Sequence, residues 1–228
     1  MRTESYTGHV EPGVRYTMDI TGLIKTPEAQ INVLPKATTP RHCILDGEWD
    51  ETVDLTIEDA NILGGNGRYL LSEGNEELNI PIAECTAENL AFYGSQLLKM
   101  GDSTYFEADA ALPVTVTAVG KDYVNEYLLD SNLGGGAYLE THDRPHFHMP
   151  LDDQAGGYLI VGKENEDGQK LLSAFKVPFG FGVHMAPWAI HADSYLLGRY
   201  LVIYSATPSF STVIVRKKNG ELASITFS

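Results

Sequence analysis

Short runs of β-branched and aromatic residues recur along this 228-residue chain, and most of them are bounded by Gly, Pro, Asn or Asp. Runs of this kind are typical of β-strands. No long helical pattern separates them, which favours antiparallel sheets in a sandwich or barrel over βαβ units. The sequence therefore predicts an all-β fold. The runs that predict strands are 53–57, 68–71, 114–117, 158–161, 201–204, 212–215 and 224–227.

Two local signals mark a helix and a turn. Thr86 is a suitable N-cap and Glu88 lies in the first turn, so a short helix is expected over 87–93, with Gly94 closing it in a left-handed conformation. Asn219-Gly220 lies between the last two strand runs. This pair predicts a two-residue hairpin turn with positive φ angles.

A polar, acidic stretch at 72–77 reads as a loop and divides the chain near residue 80. Residues 1–79 are then expected to form a β-rich extension or a degenerate half-barrel. Residues 80–228 are expected to form the main barrel. The first of these segments contains no spacing typical of metal ligands.

The charge of the chain limits its partners. Sixteen Lys and Arg stand against 31 Asp and Glu, a net charge of −15, and the longest basic run is only Arg216-Lys217-Lys218. Such a chain is repelled by phosphate backbones and anionic lipids, so neither nucleic acid nor a membrane is an expected partner. The sequence shows no signal peptide, and isolated Cys43 and Cys85 read as core thiols, so we expect a cytoplasmic protein.

Five of the seven histidines fall within one 50-residue window. Glu140 and His142 lie two residues apart, so in a strand they share a face, and Pro145 bends the chain so that His146 can return toward them. A carboxylate and imidazoles that converge in this way predict one divalent metal ion, either Ni, Zn, Mn or Fe. The five histidines are His142, His146, His148, His184 and His191.

The cupin metal motif that this region resembles, described next, implies His191 as a further ligand and leaves two ligand sets open. The first is Glu140, His142, His146 and His191. The second is a register in which His146 and His148 bind the metal with His191 and Gln154.

Gly134-x5-Glu140-x-His142-x3-His146, followed by His191 after Pro187, is similar to the two-part metal motif of the cupin superfamily. The first part of that motif usually reads G-x5-H-x-H-x3,4-E, so the order of Glu and His differs here. The resemblance implies a cupin-type jelly-roll β-barrel with a few short helices, and metal ligands that line its interior.

Residues from about 80 to 228 more closely resemble ureidoglycolate lyase, a small cupin enzyme. Segment 86–94 resembles T-x-E-x-F-x-x-Y-G, segment 139–142 with the later Pro150-Leu151 resembles L-E-R-H-P with x-P-L, and segment 172–175 with its downstream Gly182-Val183 resembles L-R-A-F…G-V-N. The family's paired histidines appear here as His191-Ala192, and a family Gln falls where His146 stands. The first 80 or so residues have no counterpart.

The resemblance implies a metal-dependent lyase that releases urea from a small, anionic ureido- or hydroxy-carboxylic acid, and it implies a homodimer. His148 is the candidate acid/base, with Glu140 as a second catalytic candidate; Arg144 or Lys176 would clamp the substrate carboxylate, and Tyr158 and Trp188 could wall the cavity. The alternatives are a non-catalytic or regulatory cupin that binds a small acid or sugar, a metal-dependent sugar isomerase, and a dioxygenase on the same barrel.

Overall fold

The structure, a computed structural model, describes residues 1–27, 33–51, 67–205 and 207–228. The described chain is mostly β, which confirms the all-β prediction. The short helix α1 spans Ala87–Ala91, and one π-helical turn spans Val124–Leu128. The strands in chain order are β1 (Arg2–Val10), β2 (Arg15–Asp19), β3 (Gly22–Lys25), β4 (Cys43–Ile44), β5 (Glu48–Asp50), β6 (Gly67–Leu70), β7 (Glu77–Ile80), β8 (Ile82–Ala83), β9 (Gln96–Lys99), β10 (Ser103–Tyr105), β11 (Leu112–Val119), β12 (Tyr138–His142), β13 (His146–Pro150), β14 (Gly156–Gly157), β15 (Leu159–Glu164), β16 (Lys170–Phe175), β17 (Phe181–Met185), β18 (Ile190–Ala192), β19 (Leu196–Ile203), β20 (Phe210–Arg216) and β21 (Ser224–Phe227).

Two large sheets contain most of these strands. In the described residues, one sheet has seven strands in the order β1-β11-β19-β13-β17-β9, with β14 also paired to β19. The other has nine strands in the order β4-β16-β15-β18-β12-β20-β6-β5, with β8 also paired to β16. Two smaller sheets, β10-β2-β3 and β21-β7, accompany them.

Among the residues that the structure describes, three hydrophobic clusters pack these layers together. The inner cluster joins side chains of the nine-stranded sheet, such as Val161, to side chains of the seven-stranded sheet, such as Val202, and therefore lies between the two. An outer cluster joins Phe147 of the seven-stranded sheet to Met18 of β2. The third cluster packs the other face of the nine-stranded sheet against β7 and β21. Both large sheets are thus covered on both faces.

Strand β13 presents alternate residues to two different layers, as the two-residue period of a strand requires. Phe147 and Met149 belong to the outer cluster. His146 and His148 therefore face the nine-stranded sheet, and their cross-strand partners on β17, Met185 and Val183, lie in the inner cluster.

Several strands from the first 79 residues join sheets built by the rest of the chain. β1 pairs with β11, β4 with β16, β6 with β20, and β7 with β21. The described residues of the first segment contain β1 to β6 and the start of β7. The division of the chain into residues 1–79 and 80–228 stays a prediction.

Most elements expected from sequence are present, with shifted ends. The runs 68–71, 114–117, 158–161, 201–204, 212–215 and 224–227 overlap β6, β11, β15, β19, β20 and β21, whereas the run 53–57 lies outside the described residues. Helix α1 begins after Thr86, whose hydroxyl accepts a hydrogen bond from the Asn89 N–H, but it ends at Ala91 rather than at residue 93. Gly94 has the expected positive φ.

The hairpin turn differs from the prediction. Gly220 has φ +89°, whereas Asn219 keeps a negative φ and uses its side-chain oxygen to accept from the Glu221 N–H. Lys217 N–H donates to the Glu221 carbonyl, which leaves a three-residue loop rather than a two-residue one. Strands β20 and β21 then separate into different sheets, so the turn does not close an extended hairpin.

Substitution of Gly182 by alanine should destabilise the protein by about 1–3 kcal/mol, because a Cβ at this position would clash with the fully buried Phe147 ring. Urea unfolding would measure the loss. Gly120→Ala is the control, since a Cβ there meets nothing within 4 Å. Equal stability of both variants would show that the ring next to His146 can move aside.

Candidate metal centre

Four predicted ligands meet between the two large sheets. Glu140 and His142 lie on β12, and Glu140 is directly opposite His191 of the neighbouring strand β18. The chain leaves the nine-stranded sheet at His142, turns through residues 143–145 and enters the seven-stranded sheet at His146. This crossing places an imidazole from one sheet opposite three ligands from the other.

The four side chains form a compact cluster. Glu140, His142, His146 and His191 each offer one ligand atom, these atoms lie within 4.8 Å of one another, and all four residues are buried. His191 Nε2 lies 3.2 Å from Glu140 Oε1 and 2.8 Å from His146 Nδ1. The structure thus brings together the first of the two predicted ligand sets.

Backbone carbonyls orient two of the histidines. His142 Nδ1 lies 2.7 Å from the Arg144 carbonyl oxygen, and His191 Nδ1 lies 3.0 Å from the Ala189 carbonyl oxygen. A carbonyl only accepts, so in each ring Nδ1 carries the hydrogen and Nε2 offers its lone pair to the cluster. This is the outer support that metal-binding histidines usually have.

The electrostatics of the cluster keep most of its imidazoles neutral. Burial, followed by the charge of His191, lowers the pKa of His142 to about 3. Burial and the neighbouring imidazoles hold the pKa of His146 well below its usual range. Burial opposes the charged form of His191 as well, but the hydrogen bond and charge of Glu140 outweigh it and raise the pKa of this residue.

The contacts within the cluster are those expected when a cation lies between the four side chains. The Nε2 lone pair of neutral His191 would face both a carboxylate oxygen and His146 Nδ1, so the arrangement needs a shared proton or a positive ion between them. His146 Nε2 is buried and has no hydrogen-bond partner among the described residues. Neutral imidazoles and one carboxylate are suitable ligands for a divalent transition metal. The cluster could therefore hold a metal ion.

His148 lies behind the cluster and does not belong to it. Its ring centroid is 4.7 Å from that of His146, and its Nε2 lies 3.1 Å from Asp193 Oδ2. Tyr138 donates to the other oxygen of Asp193 at 2.6 Å. Burial alone would raise the pKa of Asp193, but the bonds from His148 and Tyr138 outweigh it, so the pKa is lowered. All three residues are buried, and Asp193 alone of them also lines the cavity described next.

A cavity of about 220 Å³, here called the inner cavity, opens beside the cluster. Glu140, His142 and His146 line it, together with Asp193 and Tyr204. The Tyr204 ring lies 5.4 Å from the His146 ring, and burial raises the pKa of its hydroxyl. A small molecule in this cavity could contact three of the predicted ligands as well as Asp193 and Tyr204.

The remaining predicted site residues lie away from the inner cavity. His148 is fully buried and does not line it. The Arg144 guanidinium pairs with Asp109 at 2.7 Å, and Lys176 is exposed. Tyr158 packs against Phe227 with ring centroids 4.7 Å apart. None of these residues is brought to the cavity, so their predicted roles are not supported by position.

Two further expectations concern Gln154 and Trp188. Gln154 is exposed and bonds to Asp153, so the rival ligand set is not assembled. Trp188 is 58% exposed and walls neither the cavity nor the core. It is the one described non-glycine residue with a positive φ, +67°, and its N–H donates to the His142 carbonyl at 2.7 Å, which ties the loop before His191 to β12.

The two cysteines are free, as expected, but half-buried rather than in the core. Burial raises the pKa of Cys43 to about 11 and that of Cys85 to about 12. Both thiols therefore stay protonated and weakly reactive at neutral pH.

Sequence reasoning missed Asp193 and Tyr204. Asp193 follows His191 by two residues, so the strand alternation that grouped Glu140 with His142 also predicts that Asp193 faces the site. No comparable signal exists for Tyr204, which comes close to His146 only because β19 pairs with β13.

The fifth histidine of the window, His184, faces the outer cluster instead, since it lies opposite Phe147 and its ring is 4.7 Å from Phe106. Burial lowers its pKa to about 4, below the unfolded value of about 6.5.

Stability should consequently fall as the pH drops from 7 to 4, because the unfolded chain binds a proton at this residue that the folded chain does not. The contribution of His184 to this loss is about 3 kcal/mol. Urea unfolding of the wild type and His184→Gln at pH 7 and pH 4.5 would measure it. The glutamine variant should show a smaller pH dependence, and an unchanged dependence would contradict the lowered pKa.

No protein family, curated protein or solved structure matches the chain. Among the described residues, no helix is long and apolar enough to cross a membrane.

Proposed function

We propose that this chain is a divalent-metal-dependent enzyme on a cupin-type jelly-roll barrel. We further propose that it is a carbon–nitrogen lyase that acts on a small ureido- or hydroxy-carboxylic acid, as a cytoplasmic homodimer. The observation that carries the proposal is the buried cluster of Glu140 and three histidines, which opens on one side to the inner cavity. The motif resemblance to cupins and to ureidoglycolate lyase supports the substrate class.

Glu140, His142, His146 and His191 would hold the ion, with the Arg144 and Ala189 carbonyls fixing two of the rings. When bound, a divalent ion supplies Lewis acidity, which lowers the pKa of a coordinated hydroxyl group. Because the inner cavity adjoins three of the ligands, a small hydroxy acid that occupies it would meet the cluster directly.

Two groups on the cavity wall are suited to proton transfer. The lowered pKa of Asp193 keeps it ionised at neutral pH, so it can accept the proton of a substrate hydroxyl. The raised pKa of Tyr204 keeps its hydroxyl protonated, so it can give a proton to a leaving nitrogen. As the carbon–nitrogen bond breaks, its electron pair goes to that nitrogen and the hydroxyl carbon becomes an aldehyde. Environments that push two pKa values apart in this way typically mark an acid and a base.

Metal content and product release test the proposal directly. The protein, purified without a histidine tag, should contain about one divalent ion per chain and should release urea and glyoxylate from ureidoglycolate. Removal of the metal by a chelator should abolish the release, and addition of the metal should restore it. A chain without stoichiometric metal after reconstitution would overturn the enzyme proposal, whereas metal binding without turnover would favour a binding protein.

Tyr204→Phe should lower kcat by about 10²–10⁴ while the metal content stays unchanged, because the variant loses only the proton donor. Tyr158→Phe is the matched control, since this tyrosine lies outside the inner cavity, and it should keep full activity. Loss of activity in the control alone would restore Tyr158 as a substrate-binding residue.

One observation favours a second candidate. No lysine or arginine lines the inner cavity in the described part of the chain, whereas three hydroxyl-bearing residues, Ser205, Thr207 and Thr212, are among those that do. Such a wall suits a neutral, hydroxyl-rich molecule, as in a metal-dependent sugar isomerase. Isomerisation of keto sugars, measured beside urea release on the same preparation, separates the two.

A further inference from the structure

A second cavity, here called the outer cavity, lies on the other side of the seven-stranded sheet. Its volume is about 330 Å³, at the lower end of the range for small-molecule sites. His184 of β17 and Thr104 and Tyr105 of β10 line it, together with Glu107 and Gln96. The cavity therefore lies between the large sheet and the smaller β10-β2-β3 sheet.

Strand alternation separates this cavity from the metal cluster. His146 lies opposite Met185, and both side chains face the nine-stranded sheet. Phe147 lies opposite His184, and both side chains face the smaller sheet. None of the four ligands lines the outer cavity, so it is a separate site rather than an extension of the first.

His184 has an unmet hydrogen-bonding requirement. Only 7% of the residue is exposed, and its Nε2 is buried with no partner among the described residues. Nδ1 lies 3.1 Å from Thr104 Oγ1, and this hydroxyl can donate to Nδ1 or accept from it, according to the tautomer of His184. In the tautomer in which Nδ1–H donates to Thr104, the Thr104 hydroxyl can donate to the Tyr105 carbonyl, 3.5 Å away, and Nε2 offers a lone pair. A buried polar atom without a partner costs free energy, so a ligand that donates a hydrogen bond to Nε2 is favoured and selects this tautomer.

The wall supplies further acceptors and a negative charge. Glu107, which is exposed, lines the cavity together with Gln96 and Tyr105. No lysine or arginine is among the residues that line this cavity in the described chain. A carboxylate, an aromatic residue and an imidazole that can accept a hydrogen bond together match a group that donates hydrogen bonds and carries positive charge.

We propose that the outer cavity binds the ammonium group of a small organic amine, with Glu107 and His184 Nε2 as its acceptors. The site is independent of the metal cluster and of the reaction proposed above. An anionic ligand of the same size is disfavoured, because it would face the Glu107 carboxylate in a cavity that no lysine or arginine lines in the described chain.

Three four-carbon probes of equal length test this proposal: butylammonium, butanol and butyrate. Each would be titrated into the full-length protein at pH 7 by calorimetry, while NMR follows the side-chain nitrogens of His184. Butylammonium should bind saturably and shift the Nε2 resonance, and the other two should not. Saturable binding of butyrate, or no saturable binding of butylammonium, would overturn the proposal.

Variants locate the site. Glu107→Gln, at an exposed position that should not affect folding, is expected to weaken butylammonium binding at least tenfold. Glu73→Gln, an exposed carboxylate in a distant turn, should leave it unchanged. His142→Ala should also leave it unchanged, which distinguishes failure of this site from failure of the metal centre. Equal affinity in Glu107→Gln and the wild type would place the amine elsewhere and refute the assignment.

Discussion

Replacement of His146 by alanine is expected to reduce the affinity for a divalent metal strongly. Loss of a residue that only supports a ligand costs about 10–100-fold in affinity, and the loss of His146, itself a ligand, should cost more. His146 is the one ligand supplied by the seven-stranded sheet, so its loss leaves three ligands on a single sheet. The metal that remains would no longer link the two sheets, and its stabilising effect on the folded state should fall in parallel. Calorimetric titration of the stripped protein with Zn²⁺ or Ni²⁺ measures the first effect, and the metal-induced change in Tm measures the second.

His184→Ala and His9→Ala are the controls for this experiment. His184→Ala removes a buried histidine on the opposite face of the seven-stranded sheet, and His9→Ala removes an exposed histidine of β1. Both should retain the affinity of the wild type. If His146→Ala also retained it, or if His9→Ala lost it, the metal would not be bound at this cluster.

Replacement of His148 by alanine should destabilise the fold by about 3–5 kcal/mol, because it leaves the buried Asp193 carboxylate without its imidazole partner. For a chain of this length the loss corresponds to a fall in Tm on the order of 10 °C. Thermal and urea unfolding of the metal-free protein would measure it. The metal-binding stoichiometry should stay at one, since His148 is not a ligand in this arrangement.

Tyr138→Phe provides the graded comparison. It removes one hydrogen bond to the same carboxylate and should cost about 1.5–3 kcal/mol, less than the loss of His148. If His148→Ala were no less stable than Tyr138→Phe, Asp193 would not carry a buried charge. If His148→Ala lost the metal while Tyr138→Phe kept it, the second ligand set, which includes His148, would be favoured instead.

Local signals predicted the secondary structure well, because strand and helix-cap propensities depend on near neighbours. The run 224–227 coincides with β21, and Thr86 caps α1 as expected. The prediction of a two-residue hairpin turn at Asn219 was wrong because it used local residues only. The two-residue hairpin was predicted from Asn219 and Gly220 alone. In the structure β20 pairs with β12 and β6, whereas β21 pairs with β7, so pairing with distant strands determines the path of the chain after the turn.

The metal cluster was predictable because three of its members lie within seven residues, where strand alternation and one proline bend determine direction. Its fourth member, His191, depends on the pairing of β18 with β12, and only the motif resemblance indicated it. The substrate-binding predictions had no such support. Arg144 and Lys176 were chosen for charge, which does not indicate where a side chain points, and each lies away from the inner cavity.

The parallel pairing of β7 with β21 has a consequence for synthesis. Strand β7 (Glu77–Ile80) cannot pair with β21 until Ser224–Phe227 have been synthesised, roughly 150 residues later. At typical translation rates the delay is roughly 7–30 s. Strand β6 likewise cannot pair with β20 until β20 has been synthesised. Because unpaired strand edges associate with one another, the nascent chain should depend on ribosome-bound chaperones and should aggregate more readily when translation is slowed between these segments.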